Sequence, residues 1–148
     1  MLPEFPNFKK IELTDKKDVE GFTSKFPPYS DFNFSNIWAW DLKKEMGLSI
    51  LNNNLVVRFT DYVNGQSFLS FFGDNMVNET TEDLILFSEK NYKINFLKLV
   101  PEIVANLLDK SGFDIIPDTD SSYYLDNICM AWAYYYQKCK KRNSSERK

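Results

Sequence analysis

The chain reads as a single α/β domain of the α+β kind, a mixed sheet with an antiparallel meander covered by helices on both faces. Three observations predict it. Residues 48–72 hold three apolar runs separated by Asn52-Asn53-Asn54 and Asn64-Gly65, turn chemistry that calls for antiparallel neighbours. Segments of helical periodicity flank that meander in the sequence, before residue 45 and after residue 80. A nearly continuous apolar run at 95–100 then leads into another helical pattern, as a strand–helix unit laid beside the meander would.

Taken in order, residues 8–13 predict a short strand carrying Phe8, Ile11 and Leu13 amid charge. Thr14 or Asp15 starts a helix running to about Phe26, where Pro27 stops the pattern. The stretch 27–40 is the most distinctive in the chain. Pro27 and Pro28 impose extended backbone up to Tyr29, and Ser30 or Asp31 can cap a helix carrying Phe34, Ile37 and Trp38. That helix is expected to continue to about Glu45, with Gly47 ending it. Strands follow at 48–51, 55–62 and 67–72; the second places Val57 and Phe59 on one face and Val56 and Arg58 on the other. Asn64-Gly65 predicts a type I′ hairpin turn between the last two.

Thr80-Thr81-Glu82-Asp83 is the pattern of a capping box, opening a helix through Leu84, Ile85 and Phe87 to Lys90. Residues 95–100 predict a strand, and Pro101 suits the first turn of a helix through Ile103, Val104, Leu107 and Leu108, stopped by Gly112. Residues 113–116 and 122–125 are candidate strands, and residues 128–141 predict a final aromatic-rich helix.

A length of 148 residues, 43% apolar and 16% aromatic, suits one domain with a real core. The overall charge of −3 hides an asymmetry. The stretch from Lys138 to Lys148 holds six basic residues against the single acid Glu146, a net of +5, which leaves −8 on residues 1–137. The expected organisation is therefore a domain at 1–137 and a polar, basic C-terminal tail at 138–148. An acidic body disfavours nucleic acid while the tail permits it.

There is no histidine, so Ser-His-Asp and Cys-His catalysis and His-ligated metals are excluded within the chain. Cys129 and Cys139, ten residues apart on one predicted helix, would stand ~15 Å apart along its axis, too far for a disulfide. Unpaired thiols, no leader pattern at the N-terminus and no apolar run of membrane-spanning length predict a cytoplasmic protein without a transmembrane segment. No metal is expected either. Asp118, Asp120 and Asp126 lack the glycine and terminal Glu of a calcium loop.

Several segments carry a family resemblance. Pro27 to Phe34 with Trp38-Ala39-Trp40, Asn54 to Phe59, Phe68 to Asp74, and Lys140-Lys141-Arg142-Asn143 after a tyrosine-rich stretch together resemble the N-terminal half of the phosphatidylglycerol lysyltransferase C-terminal domain family. The element order is similarly that of the GNAT acyltransferase fold. The resemblance spans about residues 5–143 and implies the first of two tandem GNAT-like lobes. In related enzymes such pairs move an aminoacyl group from charged tRNA to a lipid or peptide acceptor. A partner is implied too, either a second GNAT-like lobe, expected where this chain stops, or a second copy in a homodimer. A lone lobe is expected to be inactive as an acyl- or aminoacyl-transferase, or to serve as a non-catalytic scaffold.

The resemblance also directs attention to particular residues. Tyr29, Asp31 and Asn33 would line the cleft between lobes, Tyr29 and Asp31 as an orienting or acid/base pair; equally, Asp31 can cap a helix and Tyr29 can pack. Trp38 and Trp40 can stack on a base, although at i and i+2 one is expected in the core and the other half-exposed. Lys138, Lys140, Lys141 and Arg142, beside Tyr134, Tyr135 and Tyr136, suit charged tRNA or anionic lipid headgroups, or simply the C-terminal dipole of their own helix. GNAT enzymes hold the coenzyme's pyrophosphate on a glycine-containing loop after the fourth strand. At that place Phe72-Gly73-Asp74-Asn75 offers one glycine beside an acid, so neither acyl-CoA nor any other cofactor is expected.

Overall fold

The computed structural model describes residues 1–117 and the backbone of 135–141. Its elements are β1 (Lys9–Lys10), α1 (Lys16–Thr23), α2 (Phe34–Trp40), β2 (Gly47–Leu51), β3 (Asn54–Thr60), β4 (Ser67–Phe72), α3 (Val77–Tyr92), β5 (Phe96–Leu97), β6 (Val100–Pro101), α4 (Glu102–Ala105), β7 (Phe113–Pro117) and β8 (Tyr135–Lys141). Two sheets result. The first runs β1-β2-β3-β4; in the second, β8 lies between β5 and β6 on one side and β7 on the other. Every strand pair named is antiparallel, and the parallel element is a lone bridge from Glu4 to Ile50. The α+β class holds, with two abutting sheets in place of one continuous mixed sheet.

The meander forms as its sequence predicts. Ser49 faces Val56 and Val57 faces Ser70, so the alternation carries Leu55, Val57, Phe59, Phe68 and Phe72 to one face. Those side chains pack with Val19 of α1 and with Phe34 and Ile37 of α2. Val56, Leu69 and Phe71 point the other way, onto Val77, Leu84 and Ile85 of α3 and Leu97 and Val100 of the second sheet. Both faces are therefore dry, and helices lie on both. Asn52 and Asn53 take the positive φ that their turn requires (51° and 61°).

Several boundaries differ from expectation for identifiable reasons. β1 shrinks to two residues because the buried Asp15 carboxylate accepts from the Glu12 backbone N–H (2.9 Å) and pairs with Lys9 (2.6 Å), turning the chain early. Neither Ser30 nor Asp31 caps α2. Residues Ser30–Phe32 form a 3-10 turn, and Asn33 caps by accepting from Ser35 N–H (2.9 Å). The helix also ends at Trp40, not Glu45: buried Asp41 accepts the backbone N–H groups of Glu45 and Met46, both at 3.0 Å, and folds the chain into β2. Gly47 opens β2 rather than closing a helix; a Cβ there would meet Phe8 Cβ at 3.0 Å.

The Asn64-Gly65 turn is not type I′, since Gly65 takes positive φ (72°) and Asn64 does not. Asp61 explains this. Its side chain accepts from Val63 N–H (2.8 Å) and its carbonyl from Gly65 N–H (2.8 Å), closing a wider loop. α3 begins three residues before the expected capping box, because the Thr80 hydroxyl accepts from the side-chain amides of Asn52 (3.0 Å) and Asn54 (3.2 Å) instead of capping.

The expected strand at 95–100 is broken into β5 and β6 by Lys98 and Leu99, the latter at φ 56°. α4 is a single turn, and residues 135–141 are a strand where a helix was expected. Pairing on both sides by β5–β6 and β7 decides that outcome. Residues 118–134, including the candidate strand at 122–125 and the aspartates of the dismissed cation loop, lie outside the described residues.

A candidate docking surface

The aromatic stretch does two separate jobs. Its first half builds core: Tyr29 and Phe32 are buried and pack on Phe72, with ring centroids at 5.5 and 5.2 Å. The Tyr29 hydroxyl accepts from the Ile103 backbone N–H (3.1 Å), in the first turn of α4, where such groups lack intrahelical partners. Burial pushes the Tyr29 phenol above its ordinary value of 10.0, partly opposed by that N–H and reinforced by nearby Glu102. Asp31 is half-buried, and Asn33 is exposed with its side-chain oxygen occupied by the cap. Of the three expected cleft residues, Tyr29 and Asn33 have defined structural roles.

The second half of the stretch departs from expectation. Neither tryptophan enters the core: Trp38 is 38% exposed and Trp40 66%. The core places on α2 are taken by Phe34 and Ile37, and a one-sided helix of seven residues leaves both indoles outside. Lys44 places its ammonium 5.1 Å from the Trp38 ring centre. Trp40 stands against Tyr62 from the β3–β4 loop, ring centroids 6.5 Å apart and planes at 36°. Tyr62 is 88% exposed, its neighbour Val63 79%, and Leu42 just past α2 80%. An aromatic surface thus extends from the end of α2 to the hairpin tip. Sequence reasoning missed Tyr62 and Val63, though an apolar pair in a loop between Asp61 and Asn64-Gly65 was the available signal.

The hairpin tip is anchored from behind. Asp61 pairs with Lys98 (2.9 Å), whose ammonium also lies 5.2 Å from the Phe68 ring centre. That hydrogen bond from Lys98 holds the Asp61 carboxyl below its ordinary value of 3.8, with the Val63 and Asn64 N–H groups acting in the same sense against partial burial.

The loop between β4 and α3, the place of a phosphate loop in the resembled fold, is filled from inside. The Asn54 side chain donates to Asn75 C=O (2.7 Å) and accepts from Asn75 N–H (3.2 Å), and Asn75 donates to Asn52 C=O (2.8 Å). A Cβ on Gly73, which sits at φ 153°, would fall 2.1 Å from Asn54 Oδ1. The glycine makes room for a side chain.

The basic candidates fall elsewhere. Lys138, Lys140 and Lys141 lie in β8, opposite Ile116, Asp114 with Phe96, and Phe113, so the boundary expected at 137/138 falls within the sheet. Their backbone is spaced along a strand, and the helix-dipole argument made for them does not apply. Arg142 and Tyr134 lie outside the described residues. Among the described residues, no three Cys, Asp or Glu side chains gather as metal ligands, and no helix is long and apolar enough to cross a membrane.

No family model matches the chain, and no curated protein does. A crystal structure of a conserved protein of unknown function from Bacteroides thetaiotaomicron is similar, with a TM-score of 0.56 at 21% identity over 80% of this chain. This chain spans 40% of that one. At such identity the likeness concerns the fold alone.

Proposed function

We propose that this chain is a GNAT-like lobe, related to the first lobe of the phosphatidylglycerol lysyltransferase C-terminal domain family, that works by docking a second lobe of the same kind through the Trp40–Tyr62 surface. The single observation carrying the docking role is the exposed, mutually contacting pair Trp40 and Tyr62, flanked by Leu42 and Val63. Tyrosine and tryptophan with one apolar face and little rotamer entropy are the side chains that anchor protein interfaces. Support for the fold reading comes from the element order among the described residues: if β5 and β6 count as one interrupted strand, it runs β-α-α-β-β-β-α-β-α-β up to Pro117, with a further strand at Tyr135–Lys141. The second lobe rests on the family resemblance; the similar Bacteroides structure is the longer chain, of which this one spans 40%.

Acyl or aminoacyl transfer, where it occurs, belongs to the assembled pair. Tyr29 spends its hydroxyl on α4, and the β4–α3 loop is packed by Asn54. In this reading the lobe supplies shape and adhesion.

When the chain is alone, a second copy is the available partner. Sedimentation equilibrium is expected to show concentration-dependent dimers for the wild type and at least tenfold weaker association for Trp40→Ser. Because Trp40 is largely exposed, that variant should keep its melting free energy within about 0.5 kcal/mol. A wild type that stays monomeric at every accessible concentration would overturn the docking role. Turnover of acyl-CoA or charged tRNA by the isolated chain would overturn the assignment of transfer to the pair.

A further inference from the structure

The break between β5 and β6 is stitched to the first sheet at three points. Lys98 N–H donates to Leu69 C=O (3.4 Å), and the Ser70 hydroxyl donates to Leu99 C=O (3.0 Å). The third point is the Lys98 ammonium on Asp61, at the root of the β3–β4 loop. The same Asp61 organises that loop, since its other carboxylate oxygen accepts from Val63 N–H (2.8 Å) and Asn64 N–H (3.4 Å). Tyr62, between these bonds, is 88% exposed and lies beside Trp40, ring centroids 6.5 Å apart.

We infer that the Lys98–Asp61 ion pair is a latch that fixes the hairpin tip to the β5–β6 break and so holds Tyr62 against Trp40, making the aromatic surface preformed and its association sensitive to ionic strength. The consequence for binding rests on the docking role proposed above; the latch itself does not. A turn held only by its own Asx bonds would be indifferent to Lys98. A latched turn depends on the charge at both ends. Both partners are partly shielded, with side-chain exposures of 30% for Lys98 and 14% for Asp61, so the pair is screened less than a fully exposed one. Gln66 adds a weaker tie from the same loop to Tyr92 C=O (3.4 Å) at the end of α3, leaving the loop anchored but looser when the latch opens.

The test is amide hydrogen exchange by NMR on dilute, monomeric protein, with Lys98→Met and Asp61→Asn. Methionine keeps an unbranched apolar chain without the charge, and asparagine keeps the acceptor for Val63 and Asn64. Each variant is expected to speed exchange at Val63 and Asn64 by about fivefold, and the double variant no more than either alone. Exchange at Leu55 and Val56 should not move, and 1 M salt should shift the wild type in the same direction. Wild-type rates in either variant, or additive effects in the pair, would overturn the latch. Self-association measured alongside is expected to weaken by a similar factor in Lys98→Met. Faster exchange with unchanged association would keep the latch and overturn its link to docking.

Discussion

At the scale of single residues, the side chains with the most chemical potential are occupied by structure, and Tyr29 is the clearest case. Its ring sits against Phe72 and its hydroxyl serves an α4 amide 74 residues away. Tyr29→Phe should therefore cost ~1–3 kcal/mol in chemical denaturation, because the Ile103 N–H loses its partner. The variant also tests a pH effect. Burial raises the phenols of Tyr29 and Tyr92 above 10.0, so the folded state keeps protons that the unfolded state releases. Stability is then unaffected below about pH 10 and falls as pH climbs from there through the raised values. Wild-type protein should lose stability across that range, and Tyr29→Phe should lose less. Asp61 acts with the opposite sign at the acid end: its depressed value adds stability that is present above 3.8 and disappears as pH falls below it. A packed Tyr29 was one of the two readings that the aromatic run left open. Its hydrogen-bond partner was not readable, because nothing local to residue 103 announces it.

At the scale of elements, the strands of the meander were legible because each strand's facing depends on residues within a few positions, whereas the type of the Asn64-Gly65 turn was not, because Asp61 closes a wider loop. Elements fixed by distant partners were not legible either. The start of α3 is set by Asn52 and Asn54 reaching Thr80, and the strand at 135–141 by pairing with β5, β6 and β7. A Tyr-rich segment suits strand or helix by local preference, and non-local pairing decides. The Asn54–Gly73 contact offers a sharp check. Gly73→Ala brings a Cβ against Asn54 Oδ1 and asks alanine to hold φ 153°. It should destabilise by at least about 2 kcal/mol in a thermal or denaturant melt. Asn54→Ala should relieve only the steric part, so the two changes together should cost less than their sum. Leu99, at φ 56° without glycine's freedom, is a second strained position, held by the stitches on either side of it.

At the scale of the whole molecule, a meander with two dry faces leaves, among the described residues, the exposed side chains Trp40, Leu42, Tyr62 and Val63 where α2 stops and the hairpin turns. The tryptophans were legible as unusual, but their exposure was not, because a helical repeat does not reveal that α2 stops at Trp40. The most direct measurement is hydroxyl-radical footprinting of the wild-type chain at low and high concentration, comparing residues on different faces. Trp40 and Tyr62 are expected to lose reactivity several-fold as the protein associates, while Leu86 on α3 and Leu107 after α4, also exposed, stay reactive. Protection at Leu86 or Leu107 with Trp40 and Tyr62 unchanged would contradict the account.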